Sequence, residues 1–156
     1  MHKKNISIDE IDKRILELLQ KDARTPLGQI SNELGIPKST ISYRIRNLEV
    51  NKIIKGYYAE VDATKLGKDY TTIMFVRAKH GPNYPEKVGN LLAQIPGVCA
   101  VYFILGDNDF MVLTLSDNRE ELMKKLEKMY SMPDIERIST VVVGKIIKED
   151  PRIECK

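Results

Sequence analysis

One stretch of this sequence, residues 38–49, combines hydroxyl, phenol and guanidinium groups at a spacing that suits contact with a polyanion. At about 100° per residue of a helix, one face carries four polar side chains and no carboxylate, namely Ser39, Ser42, Tyr43 and Arg46. The opposite face carries apolar residues at i, i+4 and i+7, namely Ile41, Ile45 and Leu48. Such donors bind phosphates and base edges in a DNA groove. An ordinary amphipathic helix with a solvated face is the alternative, which the stretch alone leaves open.

Each polar group around this face has a role that follows from its chemistry. Arg46 and Tyr43 reach furthest from the helix axis and are the leading candidates for base or phosphate contacts, because arginine can engage guanine in a bidentate manner. Short donors near the helix N-terminus, where the dipole favours phosphate, are Ser39, Thr40 and Ser42. Lys38 and Lys55 are expected to meet phosphates, which position the protein without reading sequence. Arg44 projects nearer the core side, so a structural role and a DNA contact both stay open.

Two further helices are predicted to position this one. Ser7 and Glu10 form a capping-box pair, and the helix behind them should end near residue 21 or 22. Thr25 is the expected N-cap of the second helix, with Pro26 at its first position, and Gly35 should end it. The short connection from there to the third helix is typical of a helix-turn-helix.

A β-rich run, residues 53–58, follows the third helix and predicts the small ribbon of a winged helix-turn-helix. Residues 1–58 are therefore interpreted as a DNA-binding domain, and residues 59–70 as a strand and hinge. Residues 1–60 hold 11 Lys and Arg against 8 Asp and Glu, whereas the rest of the chain holds 14 of each. The whole net charge of +3 thus lies in the first part, which favours a polyanionic partner there.

The remaining pattern predicts a second domain over residues 71–150, with 151–156 as a tail. Strands are expected at 71–79, 98–105, 110–116 and 138–147, with one helix after the first strand and another capped by Asp117 or Asn118. This βαββαβ order is the ferredoxin-like pattern, so the fold class is α+β. Both faces of the strands at 98–105 and 139–147 are apolar, which predicts that a second copy covers the open sheet face.

Several protein classes are excluded by what the sequence lacks. No apolar run approaches the length of a membrane-spanning helix, and the first ten residues lack the apolar core of a signal peptide, so we expect a cytoplasmic protein without a membrane partner. Cys99 and Cys155 match no metal spacing, and Cys99 is expected in a core. No phosphate loop, Gly-x-Ser-x-Gly motif or metal-ligand cluster occurs. We therefore expect no enzyme, catalytic residue, metal or cofactor.

Short motifs along almost the whole chain resemble the leucine-responsive regulatory protein (Lrp)/AsnC family of transcription regulators, also called feast/famine regulators. They occupy residues 8–16, 22–24, 39–49, 53–57, 96–98 and 106–110. The resemblance implies a helix-turn-helix domain, an αβ domain that binds an amino acid, and homodimers that assemble further, often to octamers. Two recognition helices of a dimer would then enter successive major grooves of a near-palindromic site in double-stranded DNA.

The resemblance also implies an effector pocket at the turn formed by residues 106–109. Asp107 or Asp109 would take the ligand's α-ammonium group, and strand-end N–H groups its carboxylate. The other pocket positions that it suggests are Phe103, Leu105, Gly106, Thr140 and Val142. Without the resemblance, the turn is equally well an ordinary hairpin, and the strand positions are equally well interface core.

Two positions depart from the family pattern, and two other functions stay open. Pro37 stands where a serine commonly begins the recognition helix. Lys52 replaces a common glycine, so either Asn51 or Lys52 must adopt a left-handed conformation. The alternatives are an amino-acid-binding regulatory module of an enzyme and an effector-independent, chromatin-like DNA-binding protein.

Overall fold

The computed structural model describes residues 7–155, which form two compact units. Unit 1 runs to Glu60 and also includes the chain from Glu149 onward, while unit 2 spans Val61–Lys148. We call residues 149–155 the return segment, because they rejoin unit 1 after unit 2 is complete.

Unit 1 is built from three helices, α1 (Glu10–Lys21), α2 (Leu27–Leu34) and α3 (Lys38–Val50). Their apolar faces meet in one small core, whose buried members are Ile15, Ile30, Ile41 and Leu48. Gly35, at φ +67°, ends α2 and leaves a short turn before α3. The predicted helix-turn-helix is therefore present.

Two helix starts differ from the sequence prediction. The capping box of α1 lies two residues further along the chain, at Asp9 and Asp12 instead of Ser7 and Glu10, because Asp9 accepts the Asp12 N–H at 2.9 Å and Asp12 accepts the Asp9 N–H at 3.3 Å. Pro26, rather than Thr25, holds the N-cap position of α2. The Thr25 hydroxyl instead donates to the Asp22 carbonyl at 2.7 Å, which uses it to close the preceding turn.

The chain after α3 is irregular rather than a β ribbon. Lys52 adopts the left-handed conformation, at φ +59°. The N–H groups of Ile53 and Ile54 then both donate to the Leu48 carbonyl, at 2.9 and 3.1 Å, and both side chains pack against the unit 1 core. These hydrogen bonds close the C-terminal end of the helix, so the two N–H groups cannot also pair with a neighbouring strand. Residues 51–69 accordingly contain no strand, and the segment predicted as strand and hinge has a single 3-10 turn at Thr64–Leu66.

Unit 2 has the predicted βαββαβ order. Its elements are β1 (Tyr70–Ala78), α4 (Tyr84–Ala93), β2 (Val98–Phe103), β3 (Phe110–Ser116), α5 (Arg119–Tyr130) and β4 (Ile135–Val142). The strands form one antiparallel sheet in the order β2-β3-β1-β4. Strands β2 and β4 are thus the two edges, and each ends earlier than predicted. Asn118, one of the two expected caps, accepts the Glu121 N–H at 2.9 Å and begins α5.

The two sheet faces differ in burial because strand side chains alternate. On the helix-covered face, Met74, Val76, Phe110 and Val112 are buried against α4 and α5. On the opposite face, Ile73, Phe75 and Leu113 are only half-buried. Cys99, predicted as a core residue, is exposed, because it lies on an edge strand beside an irregularity in the β2–β3 register.

Candidate functional site

The outer face of α3 is the first candidate site. Ser39, Ser42 and Arg46 are exposed, and Tyr43 is 66 % exposed. The helix begins at Pro37 without a side-chain cap and with no acidic residue in its first turn. Its first N–H groups therefore have no side-chain acceptor, which is the arrangement that favours a phosphate.

The two arginines of α3 have different surroundings. Arg44 donates from Nη1 to both oxygens of Asp9, at 2.9 and 2.8 Å, and to Asp12 at 2.9 Å. The hydrogen bonds to Asp12 and then Asp9 raise the pKa of Arg44. The Asp12 N–H, followed by Arg44, lowers the pKa of Asp9. Arg44 thus links α3 to the start of α1, whereas Arg46 has no ion pair within the described part of unit 1.

The remaining predicted DNA-contact residues, Lys38, Thr40 and Lys55, are all exposed. The Lys38 ammonium passes close to Gly28, 3.2 Å from where a Cβ would lie, so it lies over the first turn of α2. Thr40 and Tyr43 border a cleft of about 310 Å³ that also touches Ser7. Lys55 is exposed beyond the left-handed turn.

One contact behind α3 escaped the sequence analysis. The Tyr57 hydroxyl donates to Glu49 at 2.8 Å. Burial, and then the hydrogen bond to Glu49, raises the pKa of Tyr57 to about 12, so the phenol stays protonated and keeps donating. This hydrogen bond links the irregular segment after α3 to the C-terminal turn of the helix. No local sequence pattern predicts it.

The second candidate site is the loop between β2 and β3, where Asp109 is enclosed. Its Oδ2 accepts the Ala78 N–H at 2.8 Å, and its Oδ1 accepts from the Tyr84 hydroxyl at 3.2 Å and contacts His80 Nε2 at 2.9 Å. Burial acts to raise the pKa of Asp109, but the hydrogen bonds from Ala78, His80 and Tyr84 together hold it below its usual value. The carboxylate therefore already serves three protein donors.

Aromatic rings continue from Asp109 to the end of β2. His80 stacks on Tyr84 at 4.6 Å between ring centroids, and Phe103 meets the edges of Tyr84 at 6.0 Å and Phe110 at 5.6 Å. Phe103 also lines a groove of about 260 Å³ between α4 and β2. Sequence analysis left His80 and Tyr84 without a role, since neither belongs to a recognisable motif.

The other predicted effector residues are accessible but dispersed. Leu105 is 93 % exposed, Gly106 has φ +154°, and Asp107 is exposed. Thr140 and Val142 are exposed on β4, at the sheet edge opposite to the one that holds Phe103. One protomer therefore does not bring the two groups together. In the same loop, between Asp107 and Asp109, the Asn108 Oδ1 atom is buried without a hydrogen-bond partner in the described structure.

Residues 7–155 contain neither a helix long and apolar enough to cross a membrane nor a group of three side chains suited to hold a metal ion.

Comparison with known proteins identifies both units. Residues 8–49 match the AsnC-type helix-turn-helix domain, and residues 71–153 match the Lrp/AsnC ligand binding domain. The HTH-type transcriptional regulator FL11 of Pyrococcus horikoshii is 37 % identical over 151 residues, covering 97 % of this chain and 99 % of the relative. FL11 of Pyrococcus furiosus is 36 % identical over 149 residues, covering 96 % and 97 %.

Solved structures share the fold. AsnC of E. coli superposes with a TM-score of 0.85 at 23 % identity, covering 97 % of this chain and 100 % of that one. A transcriptional regulator of Neisseria meningitidis, solved as a complex with L-Met, superposes with a TM-score of 0.86 at 18 % identity, covering 94 % and 96 %. The matched domains and relatives together show that this chain belongs to the Lrp/AsnC family of transcriptional regulators, which are not enzymes.

Proposed function

We propose that this regulator reads specific DNA sites through the outer face of α3, and that an amino acid changes its DNA binding or its assembly. The observation that carries the DNA part is the contrast between Arg44, held by Asp9 and Asp12, and the exposed Arg46 two residues on. Of the two guanidinium groups, only that of Arg46 is left to meet a base edge.

The other polar groups around α3 divide by reach. Tyr43 accompanies Arg46 in the major groove, while the short hydroxyl groups of the first turns approach phosphates near the uncapped helix start. These hydroxyls belong to Ser39, Thr40 and Ser42. Lys38, beside the first turn of α2, and Lys55 add phosphate contacts that set affinity rather than sequence preference.

For the effector, we infer a pocket built around the loop of residues 105–109. Asp107 is exposed, so its carboxylate is free to accept hydrogen bonds from an α-ammonium group. Asp109 holds the loop in place through Ala78, His80 and Tyr84. The L-Met complex of the Neisseria regulator makes α-amino acids the ligand class to test.

The same pocket argues for a dimer. Phe103 and the pair Thr140 and Val142 lie on opposite sheet edges, so only a second protomer could bring both groups to one ligand. The half-buried apolar side chains Ile73, Phe75 and Leu113 supply a face for that copy to cover. Dimers of this kind would associate further, to an octamer, in the cytoplasm.

Isothermal titration with each of the twenty amino acids tests the effector part, with mass photometry before and after addition. We expect heat from one or a few amino acids in the wild type, and binding weakened at least tenfold by Asp107→Ala. Asp117→Ala, at the far end of β3, is the matched control and should bind like the wild type. DNA binding without heat from any amino acid would favour the chromatin-like alternative. Amino-acid binding without salt-dependent DNA binding would favour the regulatory module.

A further inference from the structure

The return segment binds to α1 of the unit that it rejoins. The chain leaves unit 1 after Glu60 and comes back at Glu149, so the two units are joined by two stretches of chain rather than one. The return segment has no helix or strand of its own among residues 149–155. It meets α1 at Gln20, in the last turn of that helix.

The amide of Gln20 grips one residue of this segment from both sides. Its Oε1 accepts the Ile153 N–H at 2.8 Å, and its Nε2 donates to the Ile153 carbonyl at 3.0 Å. The same Nε2 lies 3.3 Å from Cys155 Sγ. The Gln20 side-chain amide thus makes the pair of hydrogen bonds that a backbone peptide group makes to a neighbouring strand in a β-sheet. The two bonds determine which residue of the return segment faces the helix.

The hold is polar and modest. Ile153 is 73 % exposed, so little apolar surface supports the contact. Within the segment, Arg152 donates to Asp150 from Nε at 2.8 Å and from Nη2 at 2.9 Å. This local ion pair already restricts the segment, so less conformational entropy is lost when the segment binds α1. Neutral hydrogen bonds add little net stability because water competes for the same groups. A contact of this kind opens without unfolding the rest of the domain.

We propose that the return segment is a latch that closes on α1 through Gln20. The closed latch is a second connection between unit 2 and the DNA-binding unit, in addition to the chain that follows Glu60. This connection also reaches α3, because Arg44 of α3 is bound to Asp9 and Asp12 at the other end of α1. A closed latch restricts the freedom of the DNA-binding unit and relays ligand-driven changes from unit 2. The relay, unlike the latch itself, rests on the proposed effector response.

Limited trypsin digestion tests the latch without DNA or effector. Trypsin cuts after Arg152, and the bond that it cuts contains the Ile153 N–H held by Gln20. Removing both hydrogen bonds by Gln20→Ala should speed release of the fragment beginning at Ile153 by on the order of tenfold. Amide hydrogen exchange at Ile153 should accelerate by a similar factor. Gln94→Ala, an exposed glutamine at the end of α4, is the control and should match the wild type.

The relay is tested with the same variants, by DNA titration at fixed salt with and without an equimolar mixture of the twenty amino acids. Gln20→Ala should show a smaller amino-acid-induced change in DNA affinity than the wild type, at unchanged amino-acid affinity. Equal cleavage and exchange in Gln20→Ala and the wild type would overturn the latch. Faster cleavage with an unchanged amino-acid response would overturn the relay. A wild type without any response would defeat the proposed effector function and the relay, while the cleavage rates would still decide the latch.

Discussion

Arg44 of α3 and Asp12 of α1 are joined by a hydrogen bond of 2.9 Å between Nη1 and Oδ1, and the same nitrogen reaches Asp9. The side chains are 23 % and 13 % exposed, so the pair is partly sheltered from solvent. Because Asp9 and Asp12 also form the capping box of α1, one guanidinium joins the start of one helix to the middle of another. The contact therefore fixes the orientation of α3 relative to α1.

Replacing Arg44 by alanine should destabilise unit 1 by about 1–2 kcal/mol, since charge-assisted hydrogen bonds are lost from a partly sheltered site. Arg46→Ala is the matched control two residues on and should leave stability within about 0.5 kcal/mol of the wild type. Amide hydrogen exchange in α1 and α3 measures both effects. Equal protection in the two variants would remove the structural role assigned to Arg44.

In unit 2, the buried Lys125 should be far more sensitive than its neighbour Lys124. The Lys125 ammonium donates to Glu121 at 2.6 Å, Ser116 Oγ at 2.8 Å and the Leu115 carbonyl at 2.6 Å. Lys125→Met leaves these acceptors without their donor and should cost about 1–3 kcal/mol. Lys124→Met, on the exposed side of α5, should change nothing measurable. Urea denaturation followed by circular dichroism compares the two variants, and equal midpoints would show that the Lys125 hydrogen bonds do not stabilise unit 2.

The fold was predictable where periodicity is strong. The helices of unit 1 and the βαββαβ order of unit 2 both follow from repeated apolar spacings, such as Ile41, Ile45 and Leu48. The run at residues 53–58 misled because its two isoleucines have strand propensity, yet a single left-handed residue, Lys52, directs both N–H groups back to Leu48. Local propensity could not reveal a tertiary use of those donors.

The sites were predictable in part for a related reason. Helical geometry alone places Arg46 outward, and the structure leaves it exposed. The partners of Arg44 lie 32 and 35 positions away in sequence, and those of Asp109 come from β1, from α4 and from the loop between them. Such long-range contacts leave no periodic signal, so sequence analysis could name Asp109 as a candidate for the ligand's α-ammonium group without finding the three protein donors that its carboxylate already serves.

Lys52→Gly should stabilise unit 1 by about 0.5–1 kcal/mol. A lysine at φ +59° has a steric cost that glycine lacks, and this exceeds the entropy that glycine adds to the unfolded chain. Lys55→Gly removes a charge of the same sign three residues on, from a backbone without positive φ, and should not stabilise. Hydrogen exchange of the α3 amides compares the variants, and a lower stability of Lys52→Gly would show that the lysine side chain outweighs its backbone strain.

Unit 2 should lose stability in acid partly through Asp109. The pKa of Asp109 in the folded protein lies below the usual value, whereas in the unfolded chain its pKa is about 3.9. The folded state therefore gains from this group above about pH 4 and loses that gain as pH falls through the folded pKa. Urea midpoints measured from pH 2.5 to 6 should fall less steeply for Asp109→Asn than for the wild type. Parallel curves would show that Asp109 has no such linkage.

Selection of binding sites from random-sequence DNA would show whether this regulator reads DNA through the outer face of α3. The wild type and Arg46→Ala are compared at equal salt and equal fold stability. We predict that the wild type enriches a near-palindromic motif with half-sites one helical turn apart, and that Arg46→Ala loses the motif while keeping weak, salt-sensitive binding. Enrichment of the same motif at the same affinity by Arg46→Ala, or of no motif by the wild type, would contradict this role of the outer face of α3.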